Sequence, residues 1–312
     1  MPLHDCPPPE LDDLLVSNST FIEGYGHLLL EQTDNSNEEL ASRLKAYFES
    51  AHLDARHEIH KFIGMDLHPD REKQTEINYP SSLHLTTLKG CFGEVMTGLV
   101  AEKYELVGKH HWEVPVFLFR FHEDAKKYLF TLVRDPEQKR QTIGRLGTDF
   151  IGISIHGGEV ERLISGEAKW RKTLTQSAID DVMLGPKEKG KQTRVNGKGV
   201  WAELNKEVNP PNGLRELQRI LKDIDPEGYS EVILFMDKLL TAFEPTTIPK
   251  TDLVLIVGEP RKNREEGECC IEREKTPESY LAGNDLQVVE VVLPDGENLI
   301  KDLYASLWAE DK

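Results

Sequence analysis

At 312 residues, with 38 basic against 55 acidic side chains, the chain carries a formal charge of −17. That length supports one large or two modest domains with a real core, and no apolar run reaches the roughly eighteen residues that a membrane-spanning helix needs. The start Met1-Pro2-Leu3-His4-Asp5 lacks the basic and apolar regions of a secretory signal, so a cytoplasmic protein is expected.

After a polar, proline-containing start through Pro9, the run Phe21 to Leu29 reads as a strand, and Asp34-Asn35-Ser36-Asn37 signals the start of a helix over 38–50. Residues 51–80 hold His57, His60 and His68 with Asp54, Glu58 and Asp66. Without a Cys partner or a His-Glu-x-x-His pattern, surface histidines are expected there rather than a metal site. A helix over 82–104 carries Glu94, Val114 to Phe121 reads as a strand or buried helix, and Glu123 to Leu132 reads as helical. Two apolar, β-branched runs follow, Phe150 to Ile155 and Val160 to Ala168, with hairpin chemistry at His156-Gly157-Gly158 between them.

Trp170 to Met183 has helical character, and further helices are predicted at Leu214 to Ile224 and Ser230 to Phe243. Asp252 to Gly258 is a buried strand, Arg261 to Lys275 a charge-dense loop without core-forming content, Leu286 to Leu293 a strand and Glu297 to Trp308 a final amphipathic helix. This alternation predicts an α/β fold. The four cysteines, Cys6, Cys91, Cys269 and Cys270, follow neither zinc nor disulfide-framework spacing and are read as free thiols. No Walker loop or dinucleotide fingerprint is present.

The chemistry concentrates between Gly147 and Lys169. Residues two apart on a strand share a face, so Glu167 and Lys169 project together, and the hairpin sets Asp149 across from Glu167. Two carboxylates on adjacent strands make a hard-oxygen site suited to Mg²⁺, with Mn²⁺ as a substitute. A lysine beside them stabilises charge developing on a phosphate or positions a water. Each element alone has a plain alternative. Asp149 is a turn residue, Glu167 and Lys169 a solvated pair worth little, and Glu94 an ordinary exposed helix position. Together they favour a metal site.

Gly147-Thr148-Asp149 and Glu167-Ala168-Lys169, preceded by Gly93-Glu94 on a helix, resemble the PD-(D/E)xK nuclease superfamily, with Thr148-Asp149 in place of Pro-Asp. The resemblance implies a restriction-endonuclease-like core, a mixed sheet flanked by helices, over residues 81–260. Residues 1–80 would form an acidic region packed on or beside it, and residues 261–312 a loop, strand and helix completing the fold. It also implies catalytic roles for Glu94, Asp149, Glu167 and Lys169, metal ligation by Glu94, Asp149, Glu167 and the Ala168 carbonyl, and a substrate- or water-orienting role for Gln176.

At finer grain the pattern over roughly residues 85–185 resembles HamA, the nuclease-subunit family of Hachiman anti-phage defence. That implies a cytosolic DNase working with a superfamily-2 helicase of the HamB type. Residues 161–222 hold 13 basic against 8 acidic side chains. Arg171, Lys172, Lys187, Lys189, Lys191, Arg194 and Lys198 there suit a phosphate-contacting loop, against the plain reading of a solubilising one. The acidic remainder predicts weak unaided DNA binding and delivery of substrate by a partner. Two other readings stand beside the DNase: a catalytically silent nuclease-fold subunit that docks a helicase or a nucleic-acid end, and an RNase using the same site.

Overall fold

Among the described residues six strands form one mixed sheet. The computed structural model describes residues 3–33, 36–64, 78–134, 150–157, 159–191, 193–195, 197–207, 210–211, 213–241 and 248–309. The strands are β1 (Leu15–Ile22), β2 (Tyr25–Gln32), β3 (Phe150–His156), β4 (Glu159–Leu174), β5 (Lys250–Pro260) and β6 (Asp285–Val292). They lie in the order β1-β2-β6-β5-β4-β3, antiparallel at the two outer pairs and parallel between β2, β6, β5 and β4. The helices are α1 (Asn37–Gly64), α2 (Leu85–Lys103), α3 (Glu123–Arg134), α4 (Gln176–Met183), α5 (Val200–Leu204), α6 (Leu214–Ile224), α7 (Ser230–Thr241) and α8 (Gly296–Ser306). The α/β class and the helix-flanked mixed sheet are as the sequence predicts and fit a restriction-endonuclease-like core.

Both faces of the sheet are covered, which explains why β5 and β6 read as near-continuous apolar runs. On the first face α1, α2 and α8 pack over Leu28, Leu30, Leu253, Leu255, Val289 and Val291. On the second, α4, α5 and the segment around Ile271 cover Leu29, Val254, Ile256, Leu286 and Val288, while α6 and α7 cover Ile151, Ile153 and Leu163. Each aliphatic side chain so buried contributes roughly 1.5–3 kcal/mol.

Several expectations of local structure are corrected. The single strand over Phe21–Leu29 is a hairpin, β1 and β2, turning at Gly24, whose φ of +68° suits glycine. Because β2 pairs with β6, the acidic N-terminal region supplies strands to the main sheet. Trp170 to Leu174 is strand, not helix. Parallel pairing of β4 with β5 continues to Pro260, Trp170 packs on the first-face core, and α4 begins only where the Thr175 hydroxyl caps Ala178 N at 3.2 Å. Helix α1 runs to Gly64 instead of stopping at 50, and the Arg261–Lys275 segment does hold core residues, with Ile271 buried and Cys269 and Cys270 packed against the second face. The stretch Val114–Phe121 is buried and extended, ending in a 3-10 turn over Leu118–Phe121. Among the described residues no helix is long and apolar enough to cross a membrane.

Helix α2 approaches β4 unusually closely. A Cβ built on Gly93 would lie 2.8 Å from the Cβ of Ala168, inside van der Waals contact. Gly93→Ala is therefore expected to destabilise the protein by about 1–3 kcal/mol through overpacking, despite an intrinsic helix gain of about 1 kcal/mol. Ala168→Gly in the same chain should recover much of the loss. Urea denaturation of both single variants and the double variant reads this coupling; additive effects, or a neutral Gly93→Ala, would contradict the packing described.

Candidate active site

Strand β4 sorts its side chains by the pleat. Ala168 and Trp170 pack on the first face against the α2 side of the core. Glu167 and Lys169 therefore project from the second face, each paired in register with a residue of the second-face cluster, Glu167 with Val254 and Lys169 with Ile256. The Lys169 ammonium donates to Glu167 Oε2 at 2.6 Å. Their side chains are 31% and 14% exposed, so the pair is partly covered, with the ammonium its more open end. Beside it on β4, the half-buried Arg171 guanidinium donates to the Trp170 carbonyl at 2.7 Å. Burial lowers its pKa from the usual arginine value, against the opposing charge of Asp181.

Helix α2 brings Glu94 to the same stretch of β4 from the first face. The contact of Gly93 with Ala168 makes Glu94 the chain neighbour of a residue touching the middle of Glu167-Ala168-Lys169. Phe150, the first residue of β3, pairs with Gly166, so among the described residues no strand flanks β4 beside Ala168 on that edge. Glu94 faces His122, which follows the 3-10 turn over Leu118–Phe121. Its carboxylate is buried, and Oε2 lies 3.6 Å from His122 Nε2, beyond hydrogen-bond reach. Both atoms are buried without a hydrogen-bond partner among the described residues.

His52, fully buried and stacked on Phe119 at 4.3 Å, bonds the Tyr79 hydroxyl at 3.0 Å and the Tyr304 hydroxyl at 3.2 Å. Burial, then the nearby His122, pushes its pKa down to about 3, which keeps it neutral. The Tyr79 and Tyr304 hydroxyls are pushed well up, by burial first, with Glu94 among the further causes. A buried carboxylate oxygen with no donor is an expensive group, and it suits a hard cation. Hard-oxygen donors are thus present in kind for Mg²⁺: Glu167 on β4 and Glu94 on α2.

Other predicted residues are placed as follows. Asp149 lies outside the described residues. Gln176 is the first residue of α4 and donates to Asp180 Oδ1 at 2.9 Å on the exposed surface. Lys187, Lys189, Lys191 and Lys198 are exposed on the α4–α5 connection, where Lys187 and Arg194 form an isolated β-bridge. Arg194 itself is spent internally, on Asp181 at 2.9 Å and on the Gly185 carbonyl at 2.5 Å, so it braces the loop rather than offering a free charge. In the histidine-rich stretch, Asp54 pairs with Arg120 and His60 accepts from Tyr79 N at 3.2 Å, while Asp66 and His68 lie outside the described residues. The residues that sequence reasoning missed are His122, His52 and the two tyrosines. They come from four separate parts of the chain and carry no local pattern.

A scan against protein-family models gives no match. A search of curated proteins gives none either.

Glu94→Gln should hold or raise stability, because it replaces a buried, poorly partnered carboxylate oxygen; the relief is on the order of 1–3 kcal/mol. Urea unfolding in chelator-containing buffer measures it. A loss of more than about 1 kcal/mol would instead make Glu94 a structural partner of His122.

Proposed function

We propose that this protein is a metal-dependent DNA nuclease that hydrolyses phosphodiester bonds, using Glu167 and Lys169 on the second face of β4 together with Asp149 and with Glu94 of α2. The observation that carries the reading is the partly exposed Glu167–Lys169 pair held on a strand whose intervening residue, Ala168, is touched by the helix bearing the under-partnered Glu94.

Asp149, Glu167 and the Ala168 carbonyl would hold Mg²⁺ or Mn²⁺, with Glu94 of α2 as a further ligand. Bound there, the metal supplies Lewis-acid polarisation of a phosphate and a lowered pKa for water. The remaining work belongs to the chain. Lys169, fixed by its 2.6 Å bond to Glu167, presents a positive charge where negative charge grows on the scissile phosphate and orients the attacking water. Lys172, Lys187, Lys189, Lys191 and Lys198, all exposed, flank that face and neutralise neighbouring phosphates; Arg171 and Arg194 shape the strand and loop that carry them.

A net charge of −17 opposes unaided binding to DNA. Delivery of DNA by a superfamily-2 helicase of the HamB type, in anti-phage defence within the cytoplasm, follows from the sequence resemblance and accounts for that balance.

The test uses the purified protein, with and without such a helicase, on linear and circular DNA in Mg²⁺ or in EDTA. Cleavage that requires Mg²⁺ and falls by at least about 100-fold in Glu167→Ala and Lys169→Ala, with folding intact by circular dichroism, is the expected result. Undiminished cleavage by Lys169→Ala would overturn the assignment. Retained helicase binding with no cleavage under any condition would mark a silent docking subunit.

A further inference from the structure

A second cluster of ligating side chains lies on the same sheet face, in a segment that the nuclease reading does not use. His27 on β2 and Glu290 on β6 are both fully buried among aliphatic neighbours, and His27 Nε2 lies 3.0 Å from Glu290 Oε1. The segment Arg261–Lys275 closes over them. Its amides at Cys270 and Ile271 both donate to the Glu290 carboxylate, at 2.9–3.0 Å, and this sets Cys269 beside the pair. One ligand atom each from His27, Cys269 and Glu290 lie within 4.8 Å of one another, the only such group among the described residues.

Two features go beyond a loop simply anchored on a glutamate. The second ring nitrogen of His27, Nδ1, is buried without a hydrogen-bond partner among the described residues, so the imidazole is not fully accounted for by Glu290. A half-buried thiol also completes a nitrogen, sulfur and oxygen donor set, which is the set zinc takes. Zinc bonds of about 2.0–2.3 Å put ligand atoms roughly 3.3–3.8 Å apart, so the three groups need to close by no more than about 1 Å.

We propose that His27, Cys269 and Glu290 form a zinc-binding site that staples the Arg261–Lys275 segment to the centre of the sheet. Cys269, the most exposed of the three, is the entry point, and a water would fill the fourth position. Burial, then Glu290, pushes the Cys269 thiol up to about 11, so binding at neutral pH releases its proton to solvent as the thiolate forms on the metal. Lys169, Ile256 and Glu290 lie in one row across β4, β5 and β6, which sets the zinc site two strand spacings, about 10 Å, from the lysine. The proposal stands independently of the nuclease reading.

The test is metal analysis of the full chain purified without chelator, followed by cobalt substitution. About one zinc per chain is expected, along with a sulfur-to-cobalt charge-transfer band that Cys269→Ser abolishes and Cys270→Ser retains. Removing the metal should also lower the Tm of the unmodified chain, and zinc, but not magnesium, should restore it; this reading needs no variant to fold. Zinc no higher than the buffer blank in folded protein, with no cobalt band and no Tm response, would overturn the site. A band lost only in Cys270→Ser would overturn the assignment of Cys269.

Discussion

The approach of α2 to β4 at Gly93 and Ala168 is the constraint on which the arrangement turns. A helix ordinarily rests on a sheet through side chains that keep the backbones well separated. Here the facing positions are glycine and alanine, with a virtual Cβ separation of only 2.8 Å, so the helix backbone reaches the strand. Glu94 follows Gly93 in the chain, and Ala168 is flanked by Glu167 and Lys169. The one contact therefore carries chemistry-bearing residues from two distant parts of the sequence to either side of one strand. A larger residue at either position would push the helix off and separate them.

The state of Glu94 gains meaning from how the molecule treats its other buried charges. Lys250, 3% exposed, pairs with both Glu207 and Asp252, the latter at 2.8 Å. Glu102 accepts from Val114 N and from the Tyr47 hydroxyl, each at 2.9 Å, and Glu290 is wrapped by loop amides. Against that background, a carboxylate oxygen left facing a histidine at 3.6 Å is a local violation of polar satisfaction. Natural chains tolerate such violations mainly where function needs them.

Legibility from sequence tracked the range of the interactions involved. Strands β3, β5 and β6 and helices α2, α3, α6, α7 and α8 follow from local periodicity and punctuation, as does the face shared by Glu167 and Lys169. The extension of β4 through Trp170 to Leu174 did not, because pairing with β5 and burial of the indole override a helical pattern. The β1–β2 turn was missed because Glu23-Gly24 lacks a strong hairpin dipeptide. His122 and His52 are recruited to Glu94 by packing between the segment at Leu118–Phe121, α1 and α2, which no local pattern records. The basic stretch was read as uniform, whereas the fold consumes Arg194 in bracing its own loop.

Hard and soft donors are separated on the sheet. On β4 the Glu167 carboxylate lies beside the Lys169 ammonium. The imidazole, thiol and carboxylate set lies across on β2, β6 and the loop that covers them. Because affinities for divalent ions rise steeply toward the end of the first transition row, a single mixed site would be captured by the softer metal. The row from Lys169 through Ile256 to Glu290 sets the two proposed donor groups about two strand spacings apart, so each proposed ion would meet its own donor set. The aliphatic side chain of Ile256 lies between Lys169 and Glu290 in register and offers no donor atom that would join the two groups.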